Sequence, residues 1–336
     1  MLRRSLNSDF TEVNTMEAAG KKLLLVINPV SGKKLGRQYS KMIIDKFSEA
    51  GFSVTCIFTT VNENAYDMTM KRGKEFDLVV CVGGDGTLKE TVCAVMKLEN
   101  DMPIGYIPMG STNDFAHSVG IPDKVEKAVQ AIIDGEPRAV DMGQFGDNVF
   151  VYVAGFGNYT AISYSASQKL KNIFGKNAYY MQAVKEFFHM KGYHARIEAD
   201  GEVFEDDYFY GEASNSYSVG GIPVLHNIGV RFDDGKHELV LIKMFHGPKQ
   251  LASMFRSLIK KDITDNDLVV FRHCDNIRFM FDEPTAFTLD GEFGGEQTDI
   301  QVKTIKHAVH IITAQPLPVE DAPEVEAEEE KETVES

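Results

Sequence analysis

The chain has 336 residues, of which 43% are hydrophobic and 25% charged, and its net charge is −15. This composition is typical of a folded globular protein and excludes collagen, a coiled coil and general disorder, while the length fits two domains of ordinary size. The negative charge argues against a nucleic-acid-binding protein, because such proteins need Lys and Arg to neutralise phosphates.

Both ends of the chain are expected to lie outside the folded part. Residues 1–20 are polar and contain no apolar core of a signal peptide, so we predict a flexible N-terminal extension. No apolar run reaches the roughly 20 residues that a membrane-spanning helix needs. We therefore expect a cytoplasmic protein. Residues 319–336 hold nine acids and one lysine, and we predict a disordered acidic tail over 316–336.

Residues 21–143 alternate short apolar runs with helical patterns. The predicted strands cover residues 23–27, 53–58, 76–82 and 104–107, and the predicted helices cover 35–50, 64–72, 88–96 and 125–133. Strands that alternate with helices in this way form a parallel sheet covered on both faces. We predict an α/β domain over 21–143, completed by residues 300–315.

After residue 143 the pattern changes to strand-like runs joined by short polar turns, which predicts an antiparallel β-sandwich domain over 144–299. The runs cover residues 150–154, 195–199, 209–212, 229–232, 239–244, 268–273, 277–281, 285–289, 300–302 and 309–314. Two stretches, 179–191 and 248–260, have helical patterns. Basic and aromatic residues mix over 169–196 and 248–261, which is typical either of a membrane-surface contact or of amphipathic helices packed on the domain.

The clearest chemical signal is a glycine-rich loop between a buried strand and a helix, with the sequence Gly83-Gly84-Asp85-Gly86-Thr87. Glycines allow the backbone to approach a phosphate, and the N–H groups at a helix start attract anions. Asp85 would repel bound phosphates unless a divalent cation lay between them. Thr87 is predicted to cap the helix. The alternative is a tight turn that binds nothing.

This loop resembles the nucleotide-binding motif of the diacylglycerol kinase catalytic family, which sphingosine kinases, ceramide kinases, NAD kinases and phosphofructokinases share more distantly. Four further segments match that family in order: Asn-Pro-Val-Ser-Gly at 28–32, Gly-Ser-Thr-Asn-Asp-Phe-Ala at 110–116, Asp-Met-Gly at 141–143 and Asp-Gly-Glu at 290–292. The chain between its two ends therefore resembles the bacterial soluble lipid kinases of the diacylglycerol kinase type. The resemblance implies a phosphofructokinase- or NAD kinase-like N-terminal domain that binds ATP and a C-terminal domain that binds the lipid.

The resemblance also implies the roles of individual residues. The residues implied to contact ATP are Asn28, Pro29, Ser31, Gly32, Thr59, Gly83, Gly84, Asp85, Gly86, Thr87, Ser111 and Asn113, with Thr60 as the alternative to Thr59. Those implied to hold Mg²⁺ are Asp85 and Asp141 and, around a turn of the second domain, Asp234 with the carbonyls of Arg231 and Lys236. Asp290 and Glu292 are the candidates for the catalytic base, and an ordinary hairpin turn is the alternative for that segment.

The predicted function is ATP- and Mg²⁺-dependent transfer of the γ-phosphoryl group to a lipid hydroxyl, with diacylglycerol as the expected acceptor and phosphatidic acid as the product. We expect the enzyme to meet its lipid by peripheral contact with a membrane surface, and the resemblance leaves a homodimer open. A sphingoid base, ceramide or NAD remains an alternative acceptor. A non-catalytic lipid-binding regulator with the same fold is the alternative from another class.

Overall fold

The computed structural model describes residues 20–31, 36–98, 100–158, 191–219, 222–223, 229–260, 263 and 266–318. Outside the described residues lie nearly all of both predicted chain ends, Gly32, nearly all of the helix predicted over 179–191 and most of the basic stretch 169–196. Among the described residues, thirteen strands share one hydrogen-bonded sheet, and two short strands pair separately. None of the described helices is both long and apolar enough to cross a membrane.

The N-terminal region contains a parallel sheet with the strand order β2-β1-β3-β4. Its strands are β1 (Lys22–Ile27), β2 (Ser53–Phe58), β3 (Leu78–Gly83) and β4 (Ile104–Pro108). Its helices are α1 (Gly36–Glu49), α2 (Ala65–Arg72), α3 (Asp85–Leu98), α4 (Asp114–Ser118) and α5 (Val125–Asp134), with a 3₁₀ turn at Gly73–Glu75. Every residue of β3 is buried, as expected for a central parallel strand covered on both faces.

Local signals set the ends of these elements. Asn64 begins α2 with a capping box, in which its side chain accepts from the Asp67 N–H and the Asp67 carboxylate accepts from the Asn64 N–H. Gly51 follows α1 with a φ of +94°, a conformation that glycine adopts without strain. The predicted strand over 53–58 is confirmed residue for residue.

The C-terminal region is rich in antiparallel strands. They are β5 (Glu136–Phe145), β6 (Asn148–Phe150), β7 (Val153–Gly157), β8 (Tyr193–Ala199), β9 (Glu202–Ser214), β10 (Ser218–Val219), β11 (Ile222–Pro223), β12 (His237–Lys243), β13 (Val269–Cys274), β14 (Asn276–Leu289) and β15 (Glu292–Thr313). One helix, α6 (Pro248–Lys260), agrees with its predicted span. β15 pairs with β14, then with β5, and meets β4 in parallel at Ile311 and Ile104. This long strand joins the antiparallel ladders to the parallel sheet.

Buried side chains form two apolar cores. The larger one fills the space between the parallel sheet and its helices and continues to residues such as Tyr210 and Val240. The smaller one contains Phe156, Phe279 and Phe287, whose rings contact one another between antiparallel strands. The description of this region as a separate sandwich domain, and the domain boundaries, stay predictions.

Some predictions from the sequence are wrong. The run predicted over 150–154 is not one strand, because residues 151–152 bend between β6 and β7. Residues 229–232 form no strand, because Gly229 has a φ of +75° and the chain then bends through residues 232–235. The carbonyl of the buried Phe232 accepts from the Asp141 N–H on β5. Thr87 does not cap α3, because the helix already begins at Asp85.

Candidate active site

Close backbone packing defines the glycine-rich loop after β3. A Cβ on Gly84 would lie 3.2 Å from Cα of Gly110, and one on Gly83 would lie 2.4 Å from the Thr87 hydroxyl oxygen. The loop after β3 therefore touches the loop after β4, and a side chain at Gly83 would clash. α3 starts directly behind the loop, so its first N–H groups face the carboxyl edge of the parallel sheet.

The loop after β1 packs against this glycine-rich segment. The Asn28 side chain donates a hydrogen bond to the Thr87 hydroxyl (3.1 Å) and accepts one from the Val30 N–H (3.1 Å). Pro29 and Ser31 follow in the same turn, with the Ser31 N–H donating to the Asn28 carbonyl. The sequence prediction for Thr87 therefore changes from a cap to a contact with Asn28.

Thr59 and its neighbour Thr60 lie beyond β2, at the same edge of the sheet. The Thr60 hydroxyl accepts from the Asn62 and Glu63 N–H groups in a local turn. Thr59 is half-buried, and its N–H donates to the Ile27 carbonyl at the end of β1. Because Thr60 is engaged in its turn, the geometry favours Thr59 over Thr60 as a ligand-facing hydroxyl.

The loop after β4 completes this edge. Asn113 has a φ of +52°, and its side chain accepts from the Gly110 N–H at 2.7 Å, so it folds the loop back on itself. Ser111 is exposed. Left-handed backbone at a non-glycine residue is uncommon and favours Asn, which here stabilises the turn through its own side chain.

Asp85 lies at the centre of these loops, at the first residue of α3. Its carboxylate accepts from the Asp114 N–H (3.3 Å), the Tyr106 hydroxyl (3.4 Å) and the Thr112 hydroxyl (3.5 Å). Burial raises the pKa of Asp85 to about 6, and the nearby carboxylate of Asp114 adds to the rise. Two carboxylates held this close, in a partly dry site, attract a cation or a proton.

Asp290 and Glu292, two residues apart, have different environments. Asp290 is fully buried, and its carboxylate accepts from the N–H groups of residues 151–153 at 2.9–3.2 Å. Burial raises its pKa, while the Lys89 ammonium and these N–H groups oppose the rise. Asp290 and Gly291 both have positive φ, 54° and 82°, which makes the two-residue hairpin turn between β14 and β15. The segment 290–292 therefore does form a hairpin turn, which was the alternative prediction for it.

Glu292 is exposed at the start of β15. A Cβ on Gly86 would lie 3.4 Å from Oε1 of Glu292, so the carboxylate stands over the first turn of α3. The hairpin thus brings a free carboxylate from the far end of the chain to the glycine-rich loop.

Lys89 is a site residue that the sequence analysis missed. Its ammonium lies 3.4 Å from the Asp290 carboxylate and donates to the Leu289 carbonyl at 3.2 Å. Lys89 follows Asp85 by one helical turn, and residues four apart lie on the same face of a helix. That spacing was the available signal, but it identifies no partner 200 residues away.

Asp141 stands apart from this cluster, on β5. Its two carboxylate oxygens accept from the Gly235 N–H (2.6 Å) and the His307 N–H (2.7 Å). Asp234 accepts from the Lys236 N–H at 2.9 Å, and Arg231 lies 3.6 Å from Asp233. The structure therefore brings the predicted metal residues Asp141, Arg231, Asp234 and Lys236 together around one turn, separate from Asp85.

The donor atoms at Asp85 fit a magnesium ion. Mg²⁺ prefers carboxylate oxygens and keeps several waters, so one or two carboxylates and the phosphates of a nucleotide suffice. Asp85 is partly buried beside Asp114, and their mutual repulsion is what a divalent cation relieves. Among the described residues, no group of three His, Cys, Asp or Glu side chains is arranged to hold a metal by itself. Asp85 would hold the ion together with nucleotide phosphates.

Comparisons with known proteins agree with this geometry. The model of the diacylglycerol kinase catalytic domain matches residues 22–145. The diacylglycerol kinase of Bacillus subtilis (strain 168) is 29% identical over 294 residues, covering 87% of this chain and 96% of that protein. The diacylglycerol kinase of Staphylococcus carnosus (strain TM300) is 29% identical over 280 residues, covering 82% and 90%.

Solved structures resemble the fold as well. A diacylglycerol kinase from Bacillus anthracis str. Sterne superposes with a TM-score of 0.68 at 21% identity, covering 88% of this chain and 97% of that chain. Another crystal structure from that organism gives a TM-score of 0.72 at 24% identity, covering 88% and 96%. The family model and the relatives confirm the resemblance that the motifs indicated. Residues 22–145 thus match a diacylglycerol kinase catalytic domain, and the chain is similar over most of its length to bacterial diacylglycerol kinases.

Proposed function

We propose that the protein transfers the γ-phosphoryl group of ATP to the hydroxyl group of diacylglycerol, giving phosphatidic acid and ADP, in a reaction that needs Mg²⁺. The observation that carries the proposal is the position of the Glu292 carboxylate above Gly86, beside a glycine-rich loop and a helix start. Phosphoryl transfer needs bound phosphates, neutralised charge and a group that accepts a proton from the attacking hydroxyl.

In this proposal the nucleotide lies along the carboxyl edge of the parallel sheet. The loops after β1, β2, β3 and β4 meet there, and a pocket of about 470 Å³ opens beside Gly110 and Asn113. Apolar atoms of Pro108, Met109 and Val125 line it. We assign the phosphates to the glycine-rich loop, because phosphates fit a helix start, and the nucleobase to this pocket, whose lining is partly apolar and also carries polar groups that can orient a heterocycle.

The two hairpin acids have separate roles in the proposal. Glu292 is exposed and reaches the space over Gly86, so it accepts the proton of the lipid hydroxyl during attack on the γ-phosphorus. Asp290 faces residues 151–153 and Lys89, and so it positions the hairpin. Mg²⁺, when bound at Asp85, would neutralise charge on the phosphates. The turn at Asp234, next to Asp141, is the proposed place for a second, structural Mg²⁺.

The β-rich region would supply the lipid-binding part of the enzyme, with the reaction in the cleft between the two regions. Two hydrogen bonds join the regions near the site, one from Lys89 to the Leu289 carbonyl at 3.2 Å and one between the hydroxyls of Ser118 and Ser216 at 2.6 Å. The Lys89 ammonium also lies 3.4 Å from the Asp290 carboxylate. These contacts support a fixed arrangement of the two regions on either side of the cleft. The lipid would come from a membrane surface.

The test is transfer of labelled γ-phosphate from ATP to diacylglycerol, sphingosine, ceramide and NAD in separate assays. We expect labelled phosphatidic acid from the wild type and a loss of about 10²–10⁴-fold for Glu292→Gln, the usual effect of removing a general base. Asp85→Ala should lose most of the activity, and the activity that remains should not depend on the Mg²⁺ concentration. Glu296→Gln, an exposed acid on the same strand, is the matched control.

Other outcomes would replace the proposal. Label on NAD alone would identify a kinase for a soluble acceptor. Labelled sphingosine or ceramide without labelled diacylglycerol would keep the reaction and change the lipid. No labelled product with intact ATP binding would indicate the non-catalytic regulator.

A further inference from the structure

A buried tyrosine contacts the Asp85 carboxylate from within the sheet. Tyr106 lies on β4 and is fully buried, and its hydroxyl donates to Oδ1 of Asp85 at 3.4 Å. In the ladder between β3 and β4, Tyr106 is paired with Cys81, two residues before β3 ends at Gly83. The Tyr106 side chain therefore extends from the interior of the sheet to the loop that follows β3.

The preceding residue shows on which face of the sheet the Tyr106 ring lies. A Cβ on Gly105 would lie 3.0 Å from Cδ1 of Ile132 on α5, so position 105 faces α5. Successive residues of a strand point to opposite faces of the sheet. The Tyr106 ring is therefore on the other face, where α3 begins with Asp85.

The three donors that contact Asp85 divide between its two carboxylate oxygens. Tyr106 contacts Oδ1, whereas the Asp114 N–H (3.3 Å) and the Thr112 hydroxyl (3.5 Å) contact Oδ2. Thr112 is exposed, so a water molecule can replace its hydroxyl. Of these three donors, only Tyr106 contacts Oδ1, and it is buried. Donors on both oxygens restrict the rotation of the carboxylate about its Cβ–Cγ bond.

The Tyr106 hydroxyl is not needed to fill the core. Burying a hydroxyl is unfavourable unless it makes a hydrogen bond, and a phenylalanine ring would occupy the same part of the core without that requirement. The partner that accepts from the Tyr106 hydroxyl is Asp85. The role of the hydroxyl therefore lies at the carboxylate.

The orientation of Asp85 is important for the ion that its carboxylate would hold. Mg²⁺ requires nearly ideal octahedral geometry, so a carboxylate that rotates freely is a poorer ligand. Hydrogen-bonding partners of metal ligands fix the orientation of those ligands, and removing one typically costs about 10–100-fold in metal affinity or activity. Tyr106, held by the core, can serve as such a partner.

We propose that Tyr106 is a positioning residue for the magnesium site: its hydroxyl holds Oδ1 of Asp85, so that the carboxylate is oriented for the ion before the nucleotide binds. Tyr106 acts through Asp85 and is not itself a ligand. This inference rests on the proposed function, because it takes Asp85 as the residue that holds Mg²⁺ together with the phosphates of the nucleotide.

The test measures how strongly Mg²⁺ promotes nucleotide binding. The fluorescence anisotropy of ADP labelled with a methylanthraniloyl group gives its Kd in EDTA and at a series of Mg²⁺ concentrations, and this readout needs no catalysis. We expect Mg²⁺ to lower the Kd for the wild type. Tyr106→Phe should have the same Kd in EDTA but need about tenfold more Mg²⁺ for half of the effect, the lower end of the usual range because the hydrogen bond is long. Tyr208→Phe, at another fully buried tyrosine, is the matched control and should bind like the wild type.

A double-mutant cycle tests whether Tyr106 acts through Asp85. Asp85→Asn should weaken the effect of Mg²⁺ on ADP binding more than Tyr106→Phe does. Adding Tyr106→Phe to Asp85→Asn should change the Mg²⁺ effect no further, because the hydroxyl then has no ligand to orient. A further loss in the double variant would contradict the proposal.

Three results of the binding test would overturn the inference. One is an equal need for Mg²⁺ in Tyr106→Phe and the wild type. Another is an equal loss of ADP affinity with EDTA and with Mg²⁺, which would show that the hydroxyl has only a structural role. The third is wild-type binding of ADP that Mg²⁺ does not strengthen.

The same experiment separates the inference from the proposed function. The expected shift in Tyr106→Phe, together with a wild type that phosphorylates no diacylglycerol, would refute the proposed acceptor and support the role of Tyr106. Phosphorylation of diacylglycerol with the same Mg²⁺ dependence in the wild type and Tyr106→Phe would refute the inference alone.

Discussion

Asp290 and Asp141 use the same interaction in two regions of the molecule. Each carboxylate accepts hydrogen bonds from backbone N–H groups of distant segments, residues 151–153 for Asp290 and residues 235 and 307 for Asp141. Left-handed backbone occurs at both places: φ is +54° at Asp290 itself and +52° at His307, whose N–H donates to Asp141. A single carboxylate can thus join segments that are far apart in the chain.

The two regions differ in what stands beside the joining carboxylate. Two residues after Asp290, Glu292 is free of the joint and exposed over Gly86. Around Asp141, the neighbouring Asp234 accepts from the Lys236 N–H within its own turn. The comparison teaches that a buried acid can fix the geometry of a turn, and that the turn at Asp290 also presents an exposed acid two residues later.

The largest effect is expected where the joining carboxylate is most buried. Asp290→Ala leaves three buried N–H groups and the partly buried Lys89 ammonium without their acceptor, which should lower the free energy of unfolding by about 3–5 kcal/mol. Glu292→Ala, two residues away, should leave the midpoint of denaturant unfolding unchanged. Urea unfolding followed by circular dichroism measures both. Asp290→Asn, which keeps one acceptor oxygen, replaces the alanine variant if that variant does not fold. Equal stability of the wild type, the Asp290 variant and Glu292→Ala would contradict the prediction.

Glu212 extends the comparison to a buried acid that joins no backbone segments. It is 1% exposed, accepts from the hydroxyls of Tyr210 and Ser214, and burial raises its pKa to about 7. The unfolded chain has a pKa near 4.5 there, so between these pH values the folded protein holds a proton that the unfolded chain lacks. Stability from this group is therefore complete below pH 4.5 and lost as the pH rises toward 7.

Glu212→Gln cannot ionise; its amide oxygen accepts from one of the two hydroxyls, and its NH₂ group can donate to the oxygen of the other. At pH 8 the variant should be more stable than the wild type by up to about 3 kcal/mol, the equivalent of the pKa difference, and the two should converge near pH 4.5. Unfolding curves at four pH values measure the difference. Glu296→Gln, at an exposed acid, is the matched control. A difference in stability between the variant and the wild type that increases toward low pH would contradict the predicted direction.

Asp141→Asn tests the hydrogen bonds around Asp141 with a substitution that keeps the shape of the side chain. One carboxylate oxygen becomes an amide NH₂ that faces a backbone N–H donor, at either Gly235 or His307. Hydrogen bonds to charged groups contribute about 1.5–3 kcal/mol, so a loss of about 2 kcal/mol is expected. Hydrogen exchange should rise selectively at those two amides. Unchanged exchange there would show that the joint is not specific to the carboxylate.

Lys89→Met tests how much the Lys89 ammonium contributes to the contacts around Asp290. It removes the ammonium facing Asp290, but the three N–H donors remain, so the loss should be about 1 kcal/mol. A double-mutant cycle with Asp290→Asn measures the coupling between the two side chains. Additive effects would show that Lys89 contributes through its bond to the Leu289 carbonyl instead.

The elements of the N-terminal region were predictable from the sequence because each depends on nearby residues. Continuous apolar runs mark buried parallel strands, and Gly51 and Asn64 mark helix ends. The strand predicted over 229–232 failed because an apolar run also fits a segment that packs its side chains without pairing its backbone. A short apolar run does not distinguish the two.

The sequence by itself determined the glycine-rich loop, the acidic residues and the family they resemble, since these are matters of residue type and local spacing. Only the tertiary structure decided which acid is buried and which is free: Asp290 and Glu292 differ because residues 151–153 and Lys89 converge on the first and the open space above Gly86 receives the second. Those partners lie more than 130 residues away in the chain. Contacts over such separations arise from packing, and no local pattern encodes them.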